Sequence, residues 1–102
     1  MSIYTRLKQP NQPDGTAVIP NHAWTAAIQE LAMGNVTKPV VVATFALDAQ
    51  ESAELDTYGA KWATLGTLQD KVFWLNSVNN MGQLLEIGII TPEVYKMQLG
   101  VS

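Results

Sequence analysis

Residues 68–99 read LQDKVFWLNSVNNMGQLLEIGIITPEVYKMQL and contain the clearest helical signals of the chain. Thr67 precedes this stretch and can cap a helix, because its hydroxyl can accept a hydrogen bond from a first-turn amide. Gly88 ends that helix, and the Thr-Pro-Glu triplet at 91–93 begins another. The apolar positions of the first helix keep the helical period: Val72, Leu75, Val78, Met81, Leu84 and Leu85, with Phe73 and Trp74 widening the face. The pattern predicts a helical hairpin over residues 68–99.

A β-hairpin is the alternative for the first part of this stretch. Five residues in it are poor helix formers: Asn76, Ser77, Asn79, Asn80 and Gly82. Strands over residues 72–78 and 84–90 could pair across the Asn-Asn-Met-Gly turn between them. The sequence leaves both structures open, with the helical one preferred.

Two further helices are indicated upstream. Asn21 supplies a capping oxygen, and Gly34 ends a helix over residues 22–33. The apolar face of this helix consists of Trp24, Ala27, Ile28, Leu31 and Ala32. The second helix begins near Asp48, which resembles a capping pair with Glu51 three residues later. Its apolar stripe consists of Leu55, Tyr58, Trp62 and Leu65.

Residues 40–46 fit a strand as well as a helix. The run is short, and it begins with three consecutive valines, which are β-branched and favour strands. A lone strand needs a partner, which residues 17–19 or a second subunit could provide.

Residues 1–20 differ in composition from the rest of the chain. Pro10, Pro13 and Pro20, together with the turn at Asp14 and Gly15, oppose a regular helix or a central strand. We therefore expect an extended N-terminal arm over residues 1–20 that lies along its own domain or along a partner. The apolar residues that would anchor it are Ile3, Tyr4, Leu7, Val18 and Ile19. The fold class predicted is mainly α, with three to four short helices in a domain over residues 21–102 and one optional strand.

The composition excludes several kinds of chemistry. A chain of 102 residues allows one small domain, and the absence of cysteine excludes disulfides, thiolate metal sites and cysteine nucleophiles. The single histidine, His22, excludes a histidine-pair metal site. A formal charge of −3 gives no general attraction for nucleic acid. The longest apolar run, over residues 40–47, is too short to span a bilayer. We expect no cofactor, no metal, no nucleic acid and no membrane partner.

The residues that remain for catalysis are His22 and a group of acids. His22 lies in the first turn of a predicted helix, where the helix dipole disfavours its charged form. The acids are Asp48, Glu51, Glu54 and Asp56. They lack the looped geometry and turn glycine of a cation site, so a capped, solvated helix start is the simpler interpretation. An enzyme built on His22 would need a concave pocket with a carboxylate within hydrogen-bond reach.

Residues 88–100, with the sequence GIITPEVYKMQLG, resemble the end of the small XkdX-like proteins of tailed phages and phage-like elements. The residues that match in type and spacing are Gly88, Ile90, Thr91, Pro92, Glu93, Tyr95 and Gly100. The same residues are similar to the helical hairpin of bacterial SHOCT-type oligomerisation tails. The phage resemblance implies a small tail-associated or other virion protein with no catalytic residues to transfer.

The leading functional hypothesis is a non-enzymatic structural subunit of a larger assembly, as a homo-oligomer or with other proteins. A virion location follows if the chain is phage-encoded, and a cytoplasmic one otherwise. The residues expected to make the contacts are Ile3, Tyr4, Leu7, Val18, Ile19, Trp74, Ile90 and Tyr95. A bacterial adaptor or regulatory interaction module is the alternative.

Overall fold

The computed structural model describes residues 1–8 and 18–102. That part of the chain forms six helices and contains no strand, which confirms the mainly helical fold class. The expected number of three to four helices was too low. The helices are α1 (Ile3–Leu7), α2 (Asn21–Ala32), α3 (Lys38–Phe45), α4 (Ala49–Thr64), α5 (Leu68–Glu86) and α6 (Pro92–Leu99).

The caps that begin the later helices are the ones that the sequence indicates. Asp48 Oδ1 accepts a hydrogen bond from the Glu51 amide at 2.9 Å, and Glu51 Oε1 accepts one from the Asp48 amide at 3.0 Å. This reciprocal pair is a complete capping box at the start of α4. Thr67 Oγ1 accepts from the Asp70 amide at 3.0 Å, and Thr91 Oγ1 accepts from the Val94 amide at 3.3 Å. Residues that satisfy the first-turn amides therefore fix where α4, α5 and α6 begin.

The alternative β-hairpin over residues 72–90 is wrong, because these residues lie in α5 and in the turn that follows it. Some of the poor helix formers in α5 make the contacts at the place where α2 crosses it. The Asn21 amide Nδ2, at the start of α2, donates to the Asn79 carbonyl oxygen at 3.0 Å. Gly82 is buried in α5, and a Cβ added at this residue would overlap the Asn21 side chain. Only glycine allows α2 to approach α5 so closely, so its low helix propensity is offset by this packing.

The strand considered for residues 40–46 is also wrong, because these residues lie in α3 and its C-terminal cap. Pro39 lies in the first turn of α3, where its missing amide hydrogen costs no helical hydrogen bond. The helix ends at Ala46, whose φ of 52° lies in the left-handed region. No neighbouring strand exists in residues 1–8 or 18–102. The backbone N–H and C=O groups of residues 40–46 therefore find their hydrogen-bond partners within a helix.

The extended conformation expected for the start of the chain is wrong for residues 3–7. Residues 1–8 contain no proline or glycine, and the evidence for an extended arm came from residues 10–20. Ile3–Leu7 instead form α1, whose Ile3 and Leu7 side chains are fully buried. The Ile19 amide donates to the Arg6 carbonyl oxygen at 2.9 Å, so residues 6 and 19 are adjacent. The rest of the predicted arm, residues 9–17, lies outside the described residues.

The core lies where α2 crosses α5 and where α6 packs back on α5. Aromatic rings fill its centre, and neighbouring rings meet edge to face. The Trp24 ring lies 5.6 Å from the Tyr58 ring, and the Tyr58 ring lies 6.4 Å from the Trp74 ring, measured between centroids. This geometry is the one that aromatic quadrupoles favour. The Cα radius of gyration of 12.9 Å is that of a compact single domain of this length.

Candidate interaction surface

Most of the side chains expected to dock on a partner lie in the core of their own chain. Six of the eight are buried: Ile3, Tyr4, Leu7, Ile19, Trp74 and Tyr95. Val18 and Ile90 are half-buried. The surface available to a partner is therefore formed by other residues.

The first helix is held in place by the acids at the start of α4. Arg6 Nη1 lies 3.2 Å from Glu51 Oε1, and both side chains are almost fully buried. Arg6 Nη2 also donates to the Phe45 carbonyl oxygen at 2.6 Å. Glu54 accepts hydrogen bonds from the Ser2 hydroxyl at 2.6 Å and from the Ile3 amide at 2.8 Å.

The other two acids of this group are exposed and paired. Asp48 Oδ2 lies 2.6 Å from the Met1 ammonium, and this hydrogen bond lowers the pKa of Asp48. Asp56 lies 2.9 Å from the Lys38 ammonium. All four acids therefore have structural partners. Residues 1–8 and 18–102 contain no group of three side chains that could hold a metal ion.

Three tyrosines from α1, α4 and α6 form a neutral cluster within the core. The Tyr58 and Tyr95 hydroxyls lie 2.8 Å apart, and the Tyr4 ring packs edge-on against the Tyr95 ring with centroids 5.5 Å apart. Burial raises the pKa of Tyr4 to about 12, and it also raises the pKa values of Tyr58 and Tyr95. All three phenols stay protonated at neutral pH, so the cluster is uncharged.

His22 lies exposed in the first turn of α2. It lines neither of the grooves described below. The concave site that a His22-dependent enzyme would require is therefore not formed by these grooves.

An exposed apolar surface lies on the first half of α5. It consists of Leu68, Val72 and Phe73, whose side chains are 77%, 50% and 73% exposed. We call these three residues the α5 face. On another side of the same helix, Trp74 is buried in the core. The polar residues Gln69, Asp70 and Lys71 lie between these apolar residues in the sequence. Exposed large apolar side chains that lie close together are typical of an interaction surface.

A groove of about 430 Å³ adjoins the α5 face. Its walls are formed mainly by Met33 at the end of α2, Trp62 in α4, and Leu68, Val72 and Leu75 in α5, and the polar residues Gln29, Lys71 and Asn76 complete them. The Lys71 ammonium lies 5.2 Å from the centroid of the Trp62 ring, at one side of the groove. Apolar walls beside a single cation are typical of a surface that binds a protein segment.

Apolar residues are also exposed elsewhere on the surface. Ile87 and Ile89 lie exposed in the turn between α5 and α6, and Met97 is exposed in α6. A shallow groove of about 300 Å³ between α2 and α3 is lined mainly by alanines and valines. The α2–α3 groove has one exposed large apolar side chain, Val40, at its edge, whereas the groove beside the α5 face has Leu68, Val72 and Met33.

No helix in residues 1–8 or 18–102 has both the length and the apolar character needed to cross a membrane. No protein-family model matches this chain, and no curated protein or solved structure matches it either. The geometry of the exposed surface therefore carries the functional argument.

Sequence analysis assigned Val72 and Phe73 to the helical face without separating exposed from buried positions. The signal that could have separated them is the spread of apolar residues around the start of α5. Trp74 and Val78 lie on one side of the helix, and Leu68 and Val72 lie about a third of a turn from them. One intramolecular face cannot bury residues spread so widely.

Proposed function

We propose that this protein is a non-enzymatic structural subunit that joins a larger protein assembly through the α5 face. The observation that supports this most is the exposure of Leu68 and Phe73 at 77% and 73%. Burial of a side chain of this size contributes roughly 1.5–3 kcal/mol. Covering the α5 face would therefore provide a substantial driving force for association.

The resemblance of residues 88–100 to XkdX-like proteins is the reason for placing this assembly in a tailed-phage particle. Gly88 takes a φ of 81° between α5 and α6, and Gly100 takes a φ of 68° after α6. Thr91 caps α6 and Tyr95 is buried beneath it. These are residues on which the resemblance to XkdX-like proteins rests, and each has a structural role in the hairpin.

The contact proposed here differs from docking through an N-terminal arm. Ile3, Leu7 and Ile19 are buried within the chain, so they offer no surface to a partner in this fold. The α5 face replaces them as the proposed contact.

Light scattering after size-exclusion chromatography tests the proposal. We expect the wild-type chain to self-associate or to retain a partner protein in a pull-down. The double variant Leu68→Asp with Phe73→Asp should lose this association while keeping its helical circular dichroism, because both side chains are exposed. Met97→Asp is the matched control, since Met97 is 67% exposed in α6. A wild-type monomer that retains no partner contradicts the proposal.

The same experiment separates a structural subunit from an adaptor. A stable oligomer of fixed size supports the structural subunit. A monomer that captures a different protein through Leu68 and Phe73 supports the adaptor or regulatory module instead.

A further inference from the structure

The exposed side of α5 carries a row of uncharged amides between two large apolar side chains. All of its residues are exposed, and they are Phe73, Asn76, Asn80, Gln83 and Ile87. They follow one another at steps of three and four residues, so they lie along one face of the helix. We call Asn76, Asn80 and Gln83 the amide stripe. The stripe is continuous with the α5 face, because Phe73 lies at its end.

This side of α5 is free of charge. Residues 72–85 contain no charged side chain, although the exposed positions of a helix normally carry charged residues. Lys71 precedes this stretch and Glu86 follows it. Depletion of charged residues is typical of the centre of a protein interface. It also removes the repulsion that like charges would cause between two copies of the same surface.

The side chains of the amide stripe have no partner within their own chain. Asn79, on the neighbouring side of α5, accepts hydrogen bonds from Asn21 at 3.0 and 3.3 Å. By contrast, the side chains of Asn76, Asn80 and Gln83 make no hydrogen bond within residues 1–8 and 18–102. Asparagine is a poor helix former, and alanine or lysine would stabilise an exposed helical position better. Contacts within the described residues therefore do not account for Asn76 and Asn80.

A side-chain amide is complementary to a second amide. Its NH₂ group donates hydrogen bonds and its carbonyl oxygen accepts them, so two facing amides satisfy each other. A carboxylate only accepts and an ammonium only donates, so neither pairs with its own copy. An asparagine in the seam between two helices fixes their register. The chemistry of the amide stripe therefore matches the same stripe on a second copy of the chain.

The order of residues along this side of α5 is nearly the same in both directions from Asn80. Phe73 and Ile87 each lie seven residues from Asn80, a distance of about 10 Å along the helix. In an antiparallel pair of α5 helices centred on Asn80, each Phe73 faces Ile87 of the second copy. Asn76 faces Gln83, and Asn80 faces its own copy. This arrangement also places opposite ends of the two helix dipoles side by side, which is electrostatically favourable.

We propose that two copies of this chain associate through α5 as an antiparallel pair with Asn80 at the two-fold axis. The pair covers Phe73 and Ile87, which are 73% and 66% exposed in one chain. Its interface uses the same surface of both copies, as two-fold dimers do. This inference rests on the proposed function and names the partner as a second copy of the chain.

A charge swap at residue 80 tests this pair, with dimerisation measured by analytical ultracentrifugation. Asn80→Asp places two carboxylates across the axis, and Asn80→Lys places two ammonium groups there. Each variant alone should dimerise at least about tenfold more weakly than the wild type, because facing like charges are unfavourable at an interface. An equimolar mixture of the two variants should recover the association, because opposite charges then meet.

Gln50→Asp and Gln50→Lys are the matched controls, because Gln50 is an exposed amide at the start of α4. They should dimerise as the wild type does, both alone and mixed. Circular dichroism establishes that every variant keeps its helices. Unchanged dimerisation of Asn80→Asp, or no recovery in the mixture, would overturn the proposed pair.

Disulfide cross-linking measures the orientation of the two helices and does not depend on the charge variants. The chain contains no cysteine of its own, so each introduced cysteine reports on one position. Asn80→Cys should form a covalent dimer on oxidation, and so should a mixture of Phe73→Cys with Ile87→Cys. Phe73→Cys alone should not. A covalent dimer from Phe73→Cys alone would indicate parallel helices and overturn the antiparallel pair.

These results distinguish failure of this inference from failure of the proposed function. Binding of a different protein through Leu68 and Phe73, without self-association, overturns the pair and leaves the proposed function intact. A wild-type chain that neither self-associates nor retains a partner overturns both.

Discussion

Arg6 and Glu51 form the most buried charged pair among the described residues, with side chains 6% and 2% exposed. Arg6 also satisfies the Phe45 carbonyl oxygen at the end of α3, and Glu51 completes the capping box of α4. The sequence predicts the capping role of Glu51 from its spacing to Asp48. It does not reveal the Arg6 contact, because that pair is 45 residues apart in the chain.

We expect Arg6→Met to destabilise the protein by about 3–5 kcal/mol, because it leaves the Glu51 carboxylate buried without its countercharge. Adding Glu51→Gln should recover part of this loss, since glutamine can still complete a capping box. Lys38→Met is the control: it breaks the exposed pair with Asp56 and should cost less than about 1 kcal/mol. Chemical denaturation measures the free energy of unfolding of all three variants. Equal losses for Arg6→Met and Lys38→Met would contradict this account of the pair.

The two glycines inside helices should respond in opposite ways to alanine. Gly59→Ala is expected to stabilise the protein by up to about 1 kcal/mol, because its Cβ enters open space in α4. Gly82→Ala is expected to destabilise it by about 1–3 kcal/mol, because its Cβ would overlap Asn21. Thermal unfolding distinguishes the outcomes. Stabilisation by both substitutions would show that the α2–α5 crossing is looser than described.

The four helices with a clear apolar stripe could be predicted from the sequence, and α1 and α3 could not. α4, α5 and α6 follow directly from Asp48, Thr67 and Thr91 with their neighbouring apolar residues. The cap predicted for α2 is wrong: Pro20 is the N-cap residue, and the Asn21 side chain bonds Asn79 of α5 instead. α3 was ambiguous because β-branched residues favour strands, and only the lack of a partner strand in the described residues decides against one. α1 is five residues long, and a helix this short depends on tertiary packing rather than on its own sequence.

The tyrosine cluster that joins α1, α4 and α6 should make the protein sensitive to alkali. Burial raises the pKa of Tyr4 from 10.0 to about 12, and it also raises the pKa values of Tyr58 and Tyr95. Above pH 10, the unfolded chain loses phenolic protons that the folded protein keeps. The stability contributed by these protons is complete below about pH 10 and is lost as the pH rises through the folded pKa values.

Each such tyrosine should lower the free energy of unfolding by about 1.4 kcal/mol per pH unit in this range. Tyr95→Phe removes one titrating group and should make the decline less steep, although it also removes the hydrogen bond to Tyr58. Urea denaturation between pH 9 and pH 12 gives the slope, which is independent of that lost bond. An identical slope in Tyr95→Phe and in the wild type would contradict the raised pKa of Tyr95.

The first helix of the chain completes the hydrophobic core of the whole molecule. Ile3, Tyr4 and Leu7 are buried in the core, and the Tyr4 ring packs against Tyr95, although residues 10–20 suggested a separate arm. A pattern of apolar residues cannot distinguish a side chain that packs on its own chain from one that packs on a partner. For this reason sequence analysis placed Trp74 and Tyr95 at an interface and overlooked Leu68 as an exposed residue.

Removal of residues 1–8 should therefore unfold the protein or lower its melting temperature strongly. Loss of two fully buried aliphatic side chains alone costs about 3–6 kcal/mol, which approaches the total stability of a small domain. Ile3→Ala removes only part of the same buried surface and should lower the free energy of unfolding by about 2–5 kcal/mol. Met97→Ala, on the exposed side of α6, should stay within about 0.5 kcal/mol. A truncated chain that melts as the full chain does would show that α1 is a dispensable arm.

Site-specific photo-crosslinking detects whether the α5 face contacts another protein. Phe73 is replaced by p-benzoylphenylalanine, which reacts only with groups that it touches, and Met97 is replaced in the same way as the exposed control. The account predicts a covalent product with a second protein chain from position 73 and none from position 97. No product from position 73, or equal products from both positions, would contradict it.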